Sequence, residues 1–578
     1  MNSHLIQQAS QTCFSGCCSS PFSSHSVTQK PEEELEFSLI TSGASFLTRD
    51  IKFTSQESLP PLRTSFYDLI TAFPDYLQTT QADHLRSTEY QNLSYSSHHV
   101  LLNHTGQQQP LFSYSQFREI SESEPDLNQS LFTLSCTPVS SGKELLSFAS
   151  EESRFQSRMR KRIMGFMNLE ESEYHMILTQ DRSSAFKILA ELYSFKTNPN
   201  LLTVYNYEDE AVEEMIRISE KKGIKPESAE FSWPSTEIVS EKLKRKIAKS
   251  NKRRRRRRGE KDKRGLFVFP LQSLVTGASY SYSWMSLAHE NEWHVLLDTS
   301  ALGSKDMETL GLSLFQPDFL ISSFTEVLGK DDPSGFGCLF VKKSSSQALS
   351  EAPEHVTNPA NLTAVKAEPA WKTENDEITL EKGFLDHEDH KASTSATDII
   401  EFEEEDKAII EFRGLDHADS LGLILISRRS KSLTLWLVRA LMTLKHPGSH
   451  ETEMPLVKIC GPKTRTNRGP SISFNIFDWQ GEKVDPLVVE RLAEREKISL
   501  RCAYLQKIRI GKNKRRSDDE KQNLMSLRVS VVSVRLGFMT NFDDVFRVWG
   551  FVSRFLDADF VEKEKWRKKA LEQIQIAN

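Results

Sequence analysis

The sequence predicts an α/β protein in which a large domain on a mainly parallel sheet is followed by a smaller α+β domain. Three observations lead there. Short apolar runs rich in β-formers, at 201–205, 266–269, 294–297, 319–322 and 337–341, alternate with stretches of helical spacing, as in parallel sheets whose strands are joined by helices. The chain has 578 residues, too many for one ordinary core and enough for two to four compact units. Beyond residue 406 the texture changes to a long apolar helix followed by alternating strands.

Taken in order, residues 1–60 are rich in Ser, Gln, Thr and Glu and read as a flexible extension. The large domain spans 61–343. Within it, the strand at 201–205 leads into a helix over 208–222, where Val212, Met215 and Ile216 share a face and Gly223 supplies the stop. The later strands are bounded by Pro270, Asp298, Gly329 and Lys342. Residues 242–264 carry fifteen Lys and Arg against Glu260 and Asp262, and read as a basic, solvated insertion. Residues 344–406 contain Pro353, Pro359 and Pro369, few large apolar side chains and an acidic end at 401–406, and read as a disordered insertion. The smaller domain spans 407–560, with a tail at 561–578. It opens on one long helix over 420–444, stopping before Pro447. A strand at 471–477 turns at Gly481, and Asp485 then caps a helix with Pro486 at its first position. Strands follow at 498–501 and 529–537, and Val545, Trp549, Val552 and Leu556 form one face of a packed helix.

Composition narrows the function classes. The 74 basic and 80 acidic residues nearly cancel, so no global field points to nucleic acid or membrane. Seven scattered cysteines suit a reducing compartment. The single cluster, Cys13, Cys17 and Cys18, lacks a second half at ligand spacing, so no metal site is expected. The polar first thirty residues contain no secretory apolar segment. The apolar runs near 421–426 and 433–444 are too short for a bilayer span and are interrupted by Arg428, Arg429 and Arg439. A cytoplasmic or nuclear protein is expected, with the basic residues at 252–258 as the targeting element. The run at 242–264 would bind nucleic-acid phosphates without base selectivity, because no aromatic side chain interleaves with it.

Eight segments, in this order, carry a resemblance: HLRSTEYQNL at 84–93, LLNHTG at 101–106, FVFPLQSLVTGASYSYSW at 267–284, WHVLLDTSA at 293–301, PDFLISSFTEVLG at 317–329, PSGFGCLFV at 333–341, GPSISFNIFD at 469–478 and VRLGFMTNFDD at 534–544. Over roughly residues 85–560 the chain resembles the molybdenum cofactor sulfurase family, whose aminotransferase class V domain is a cysteine-desulfurase-type fold using pyridoxal phosphate. The N-terminal CFSGCC and the two inserts resemble a plant subgroup of sulfurase-like proteins. The resemblance implies a fold-type I pyridoxal-phosphate-dependent transferase and a homodimer.

It also assigns residues. Asp298, ending the strand VLLD, takes the place of the carboxylate that keeps the cofactor ring nitrogen protonated. Gln272 lies in a segment that the resemblance sets beside the cofactor. Ser183 and Ser184 stand at the helix N-terminus that receives the phosphate, with Arg182 able to pair with it and Asp181 unfavourable to it. Tyr207 or Glu208 stands where the ring-stacking histidine would be, and only Tyr207 can stack. Asn103 and His104 match a segment near the cofactor mouth, with Asn103 in place of an aspartate. Arg535 matches the arginine that grips a substrate carboxylate.

Two positions depart from the family. Glu326 stands where the family has the lysine that binds the cofactor, and a carboxylate forms no Schiff base. The two cysteines of the family's sulfur-carrying segment fall on Tyr504 and Gln506. The sequence therefore points to a binding or regulatory homologue with an unidentified protein partner. The alternative is an active transferase or sulfurase using Lys330 and Cys502 as relocated groups.

Overall fold

The computed structural model describes residues 51–90, 117–120, 130–138, 154–248, 264–302, 310–324, 337–349, 360–366, 409–447, 454–463, 468–509, 527–560, 562–563 and 566–567. All of them fall within Gly43–Asn578, one of two compact units into which the chain divides. Three sheets organise them. The strands are β1 Phe117–Ile120, β2 Ser130–Pro138, β3 Tyr174–Thr179, β4 Leu201–Thr203, β5 Glu227–Ser228, β6 Phe231–Ser232, β7 Leu266–Pro270, β8 His294–Asp298, β9 Phe319–Ser323, β10 Gly337–Lys342, β11 Ala360–Lys366, β12 Ile409–Phe412, β13 Val457–Cys460, β14 Ser471–Ile476, β15 Arg501–Arg509 and β16 Leu527–Arg535. The helices are α1 Leu62–Ala72, α2 Thr80–Glu89, α3 Arg154–Phe166, α4 Arg182–Leu192, α5 Glu210–Lys221, α6 Ser240–Ala248, α7 Ser283–Glu290, α8 Leu310–Phe315, α9 Arg413–Leu421, α10 Leu423–Met442, α11 Pro486–Arg495 and α12 Phe542–Ser553.

The large sheet has the order β3-β10-β9-β8-β7-β4-β5. The five strands from β9 to β5 run parallel, and β10 is antiparallel to both of its neighbours. Every residue of β7 and of β8 is buried, as strands covered on both faces must be. The predicted α/β class is therefore the observed one. Helix α5 starts on its Asp209 cap and gives way to Gly223 at φ 79°, close to the expected bounds.

Two of the polar stretches differ from expectation. The basic run begins inside α6, where Leu243 and Ile247, four residues apart, are buried while Lys242 pairs with Glu230 at 2.5 Å. Its centre, including 252–258, lies outside the described residues. The segment at 344–406 contributes β11, paired over seven residues with β2 in a four-stranded sheet of order β11-β2-β1-β12. Ladder hydrogen bonds between backbones need no large apolar side chains, which is why its composition concealed it.

The five-stranded sheet has the order β13-β14-β16-β15-β6. The helix expected over 420–444 is two helices, because Gly422 adopts φ 78° between α9 and α10. The strand expected at 498–501 begins at Arg501 and runs to Arg509. Helix α12 is opened by a capping box of Asn541 and Asp544, with Val545, Trp549 and Val552 buried; Leu556 is also buried but lies in the 3-10 turn that follows.

Helices α1 and α2, in a stretch read as the start of the large domain, pack on these C-terminal elements. Arg86 of α2 binds Asp544 and donates to the Met539 carbonyl at 2.7 Å. Arg429 of α10, fully buried, donates to Asp83 at 3.0 Å and to the Thr540 carbonyl at 2.9 Å. Phe53, within the stretch read as a flexible extension, is buried, with its backbone N–H donating to Thr443 O at 3.0 Å and its ring edge-on to Trp549. Residues 1–50, with Cys13, Cys17 and Cys18, lie outside the described residues. Among the described residues no helix is long and apolar enough to cross a membrane, and no group of three or more His, Cys, Asp or Glu is placed to hold a metal.

Trp436, fully buried, meets Phe542 and Trp549 edge-on at 4.8 and 5.6 Å. Trp436→Ala is expected to cost about 3–5 kcal/mol in urea unfolding. Trp479→Ala, at a side chain 54% exposed, is expected to change stability by less than about 0.5 kcal/mol.

Candidate functional site

The C-terminal ends of parallel strands are where an open α/β sheet presents side chains to a crevice. Asp298 ends β8 there and is only 1% exposed. Both of its oxygens are engaged by the chain itself. Oδ1 accepts from the Ser300 N–H at 3.0 Å, and Oδ2 accepts from Arg182 Nη2 at 2.6 Å and from the Tyr205 hydroxyl at 3.0 Å. Burial alone would raise the Asp298 pKa, but the charge and hydrogen bond of Arg182 outweigh it and hold the carboxyl below its ordinary range.

Arg182 is the first residue of α4, and its guanidinium turns inward. Nη1 donates to Asp209 Oδ1 at 2.9 Å, and the guanidinium lies 4.8 Å from the centre of the Phe186 ring, one turn further along α4. Asp209 in turn caps α5 through the Val212 N–H at 3.1 Å. One cation thus joins the start of α4, the cap of α5 and the end of β8. The preceding residue, Asp181, caps α4 by accepting from the Ser184 N–H at 2.7 Å. Ser183 is half-buried beside it and Ser184 is buried. Gly337 is required at this point, since a Cβ there would meet the Asp181 carbonyl oxygen at 2.6 Å.

Tyr205 and Tyr207 follow β4, with ring centroids 5.7 Å apart. Both are buried, which pushes their hydroxyl pKa values well up and keeps them protonated. The Tyr207 hydroxyl has no hydrogen-bond partner among the described residues. Gln272 is buried, its side chain lying against Gly469 so closely that a Cβ at Gly469 would meet Oε1. Arg535 ends β16 and reaches the same region, where Nη2 donates to the Ala301 carbonyl, three residues past Asp298, at 2.6 Å.

The segment read as the sulfur-carrying position is part of β15. Tyr504 O accepts from the Glu208 N–H at 2.8 Å, the Gln506 N–H donates to Asn206 O at 2.9 Å, and Gln506 Nε2 donates to Tyr207 O at 2.8 Å. Arg528 stacks 3.8 Å over the Tyr504 ring and donates to Glu208 at 2.7 Å. Cys502 is half-buried within the same strand, opposite Val532, and burial raises its thiol pKa. Glu326, Lys330, Asn103 and His104 lie outside the described residues.

The fold therefore brings Asp298, Ser184 and Arg535 to one end of the large sheet and sets Tyr207 against β15. It leaves Cys502 in a ladder rather than on a loop. Sequence reasoning did not anticipate Tyr205 or Asp209, or that Arg182 turns towards Asp298 instead of outward to a phosphate. The available signal was the Asp181-Arg182-Ser183-Ser184 start, because an aspartate N-cap satisfies the helix by itself.

No family model matches the chain. It is 23% identical over 517 residues to the molybdenum cofactor sulfurase of Solanum lycopersicum, covering 83% of this chain and 58% of that protein. It is 24% identical over 416 residues to molybdenum cofactor sulfurase 1 of Aedes aegypti, covering 69% of this chain and 47% of that one. This chain resembles the molybdenum cofactor sulfurases. It spans about half the length of these sulfurases. Solved structures similar to this sulfurase-like chain include the apo cysteine desulfurase of Thermococcus onnurineus NA1, at 15% identity and TM-score 0.43, covering 69% of this chain and 83% of that one. Another is a C-DES mutant with glycine covalently linked to its PLP cofactor, at 11% identity and TM-score 0.39, covering 71% and 90%.

The group implied by the resemblance is pyridoxal phosphate, and the described residues do not fit it. The carboxylate assigned to the ring nitrogen already accepts three hydrogen bonds, one of them from the guanidinium that it shares with Asp209. At the helix start assigned to the phosphate, an aspartate side chain occupies the Ser184 N–H.

Because the Asp298 carboxyl pKa is lowered on folding, the stabilisation it confers is fully present above roughly pH 5 and is lost as the pH falls through the folded value. Asp298→Asn leaves Arg182 paired with Asp209 alone, and the loss of the charged hydrogen bond should cost about 1.5–3 kcal/mol at neutral pH. The gap from wild type should narrow on acidification below about pH 4, as read by urea unfolding across pH.

Proposed function

We propose that this chain is a non-catalytic relative of the molybdenum cofactor sulfurases, retaining their layered scaffold for binding or regulation rather than sulfur transfer. The observation that carries the reading is the stitching of residues 504–506 to residues 206–208. A sulfur-carrying thiolate has to travel between donor and acceptor, which demands a loop. Here the equivalent residues are Tyr504 and Gln506, held in a strand by two backbone hydrogen bonds and one from the Gln506 side chain.

Two further features agree with it. Glu326 in place of the cofactor lysine removes the amine that a covalent cofactor needs. Cys502, the nearest thiol in sequence, has a pKa raised by burial, opposite to what a nucleophile requires. The relocated-group alternative needs Lys330 to act as the Schiff-base amine.

The purified chain, supplied with pyridoxal phosphate and L-cysteine, is expected to release no sulfide or alanine above a protein-free control. Borohydride reduction should leave no pyridoxyl group on the protein. A reduced adduct mapped to Lys330, lost together with turnover in Lys330→Ala, would sink the non-catalytic reading.

A further inference from the structure

We propose that Arg182 is a built-in occupant of the site that the resemblance assigns to the cofactor ring nitrogen, and that removing its side chain uncovers a pocket for a planar cation such as a protonated pyridine. This rests on the non-catalytic reading of the same site and says what replaced the ligand. A protonated pyridine offers Asp298 one positive charge and one N–H donor on a flat ring. Arg182 offers the same things: a flat guanidinium whose Nη2 donates to Asp298 Oδ2 at 2.6 Å. Tyr205 supports that oxygen from the side at 3.0 Å, so the acceptor is fixed in direction as well as charge.

The occupant is tethered. Its Cα belongs to the first turn of α4, whose cap Asp181 holds the Ser184 N–H at 2.7 Å. Its second arm is held by Asp209, and its plane is backed by Phe186. Withdrawal would break the contacts to two helices and a strand at once. An intramolecular cation held in this way has an effective concentration that a free ligand at cellular levels does not match.

The charge count gives the inference its direction. With Arg182 present, the triad of Arg182, Asp209 and Asp298 sums to one negative charge. Without it, two buried carboxylates face each other across the space that the guanidinium filled, an arrangement that draws in a cation.

The test uses pyridoxine, which carries the pyridine ring but neither aldehyde nor phosphate, so binding depends neither on a lysine nor on the helix start that Asp181 already caps. Calorimetric titration of the full chain should show at least about tenfold tighter binding to Arg182→Ala than to wild type. The probe should also raise the melting temperature of Arg182→Ala and leave wild type unmoved. Binding should be lost again in Arg182→Ala/Asp298→Asn. If Arg182→Ala does not fold, Arg182→Ala/Asp209→Asn, which leaves one buried carboxylate, is titrated in its place. Equal affinity in wild type and the opened variant would overturn the proposal, as would no binding to a folded opened variant or binding that survives Asp298→Asn. None of these outcomes bears on the cysteine turnover of wild type, so the two readings fail separately.

Discussion

The guanidinium of Arg182 is the contact on which this end of the molecule depends. Strand β8 ends in a carboxylate with almost no access to water, helix α5 starts on another, and helix α4 starts on a residue whose side chain reaches both. Two carboxylates brought this close without a cation would repel each other and lose their hydration together, a cost that one of them would relieve only by taking up a proton. With the cation in place they become the joint between the sheet and two of its helices. The neighbouring tyrosines fall in line, because Tyr205 donates to the same oxygen and packs its ring against Tyr207.

The C-terminal core shows the same logic with different residues. Arg86 and Arg429 reach from α2 and α10 to Asp544, Asp83 and the carbonyls of Met539 and Thr540, around an aromatic cluster of Trp436, Phe542 and Trp549. Each guanidinium serves both a carboxylate and a backbone carbonyl, so a charge inside the protein is tolerable. The early helices α1 and α2 are thereby fastened to a part of the chain more than four hundred residues later.

The parallel strands were legible because strands buried on both faces are continuous apolar runs, as in Leu266–Pro270 and His294–Asp298. The cap at Asp485 sits next to the residue it serves, so local sequence is enough for it. The break at Gly422 was missed because an apolar pattern does not state a backbone angle, and α6 because two apolar residues in a basic run make a weak stripe. Strand β11 is defined by β2, more than two hundred residues upstream, and no local pattern announces such a pairing. At the site, the resemblance pointed to Asp298 and Arg535, which do converge on one end of the large sheet. Whether Arg182 faces outward to a ligand or inward to Asp298 depends on where β8 and α5 happen to end, which is information held by the tertiary fold alone.

The chain between β5 and β6 is two residues long, yet β5 lies at the edge of the seven-stranded sheet and β6 at the edge of the five-stranded one. Phe231 and Ser232 pair in parallel with Ile508 and Arg509. A ribosome would thus release β6 with its partner still some 277 residues from synthesis (508 − 231). Until β15 emerges, β6 has only its local bridge to Ile238, and its other side is an open edge carrying Phe231, whose side chain is fully buried once folding is complete. Closing so long a span makes this a late and slow event in assembly. A fragment ending before residue 501 would present that edge permanently, as a ready place for another chain to add a strand.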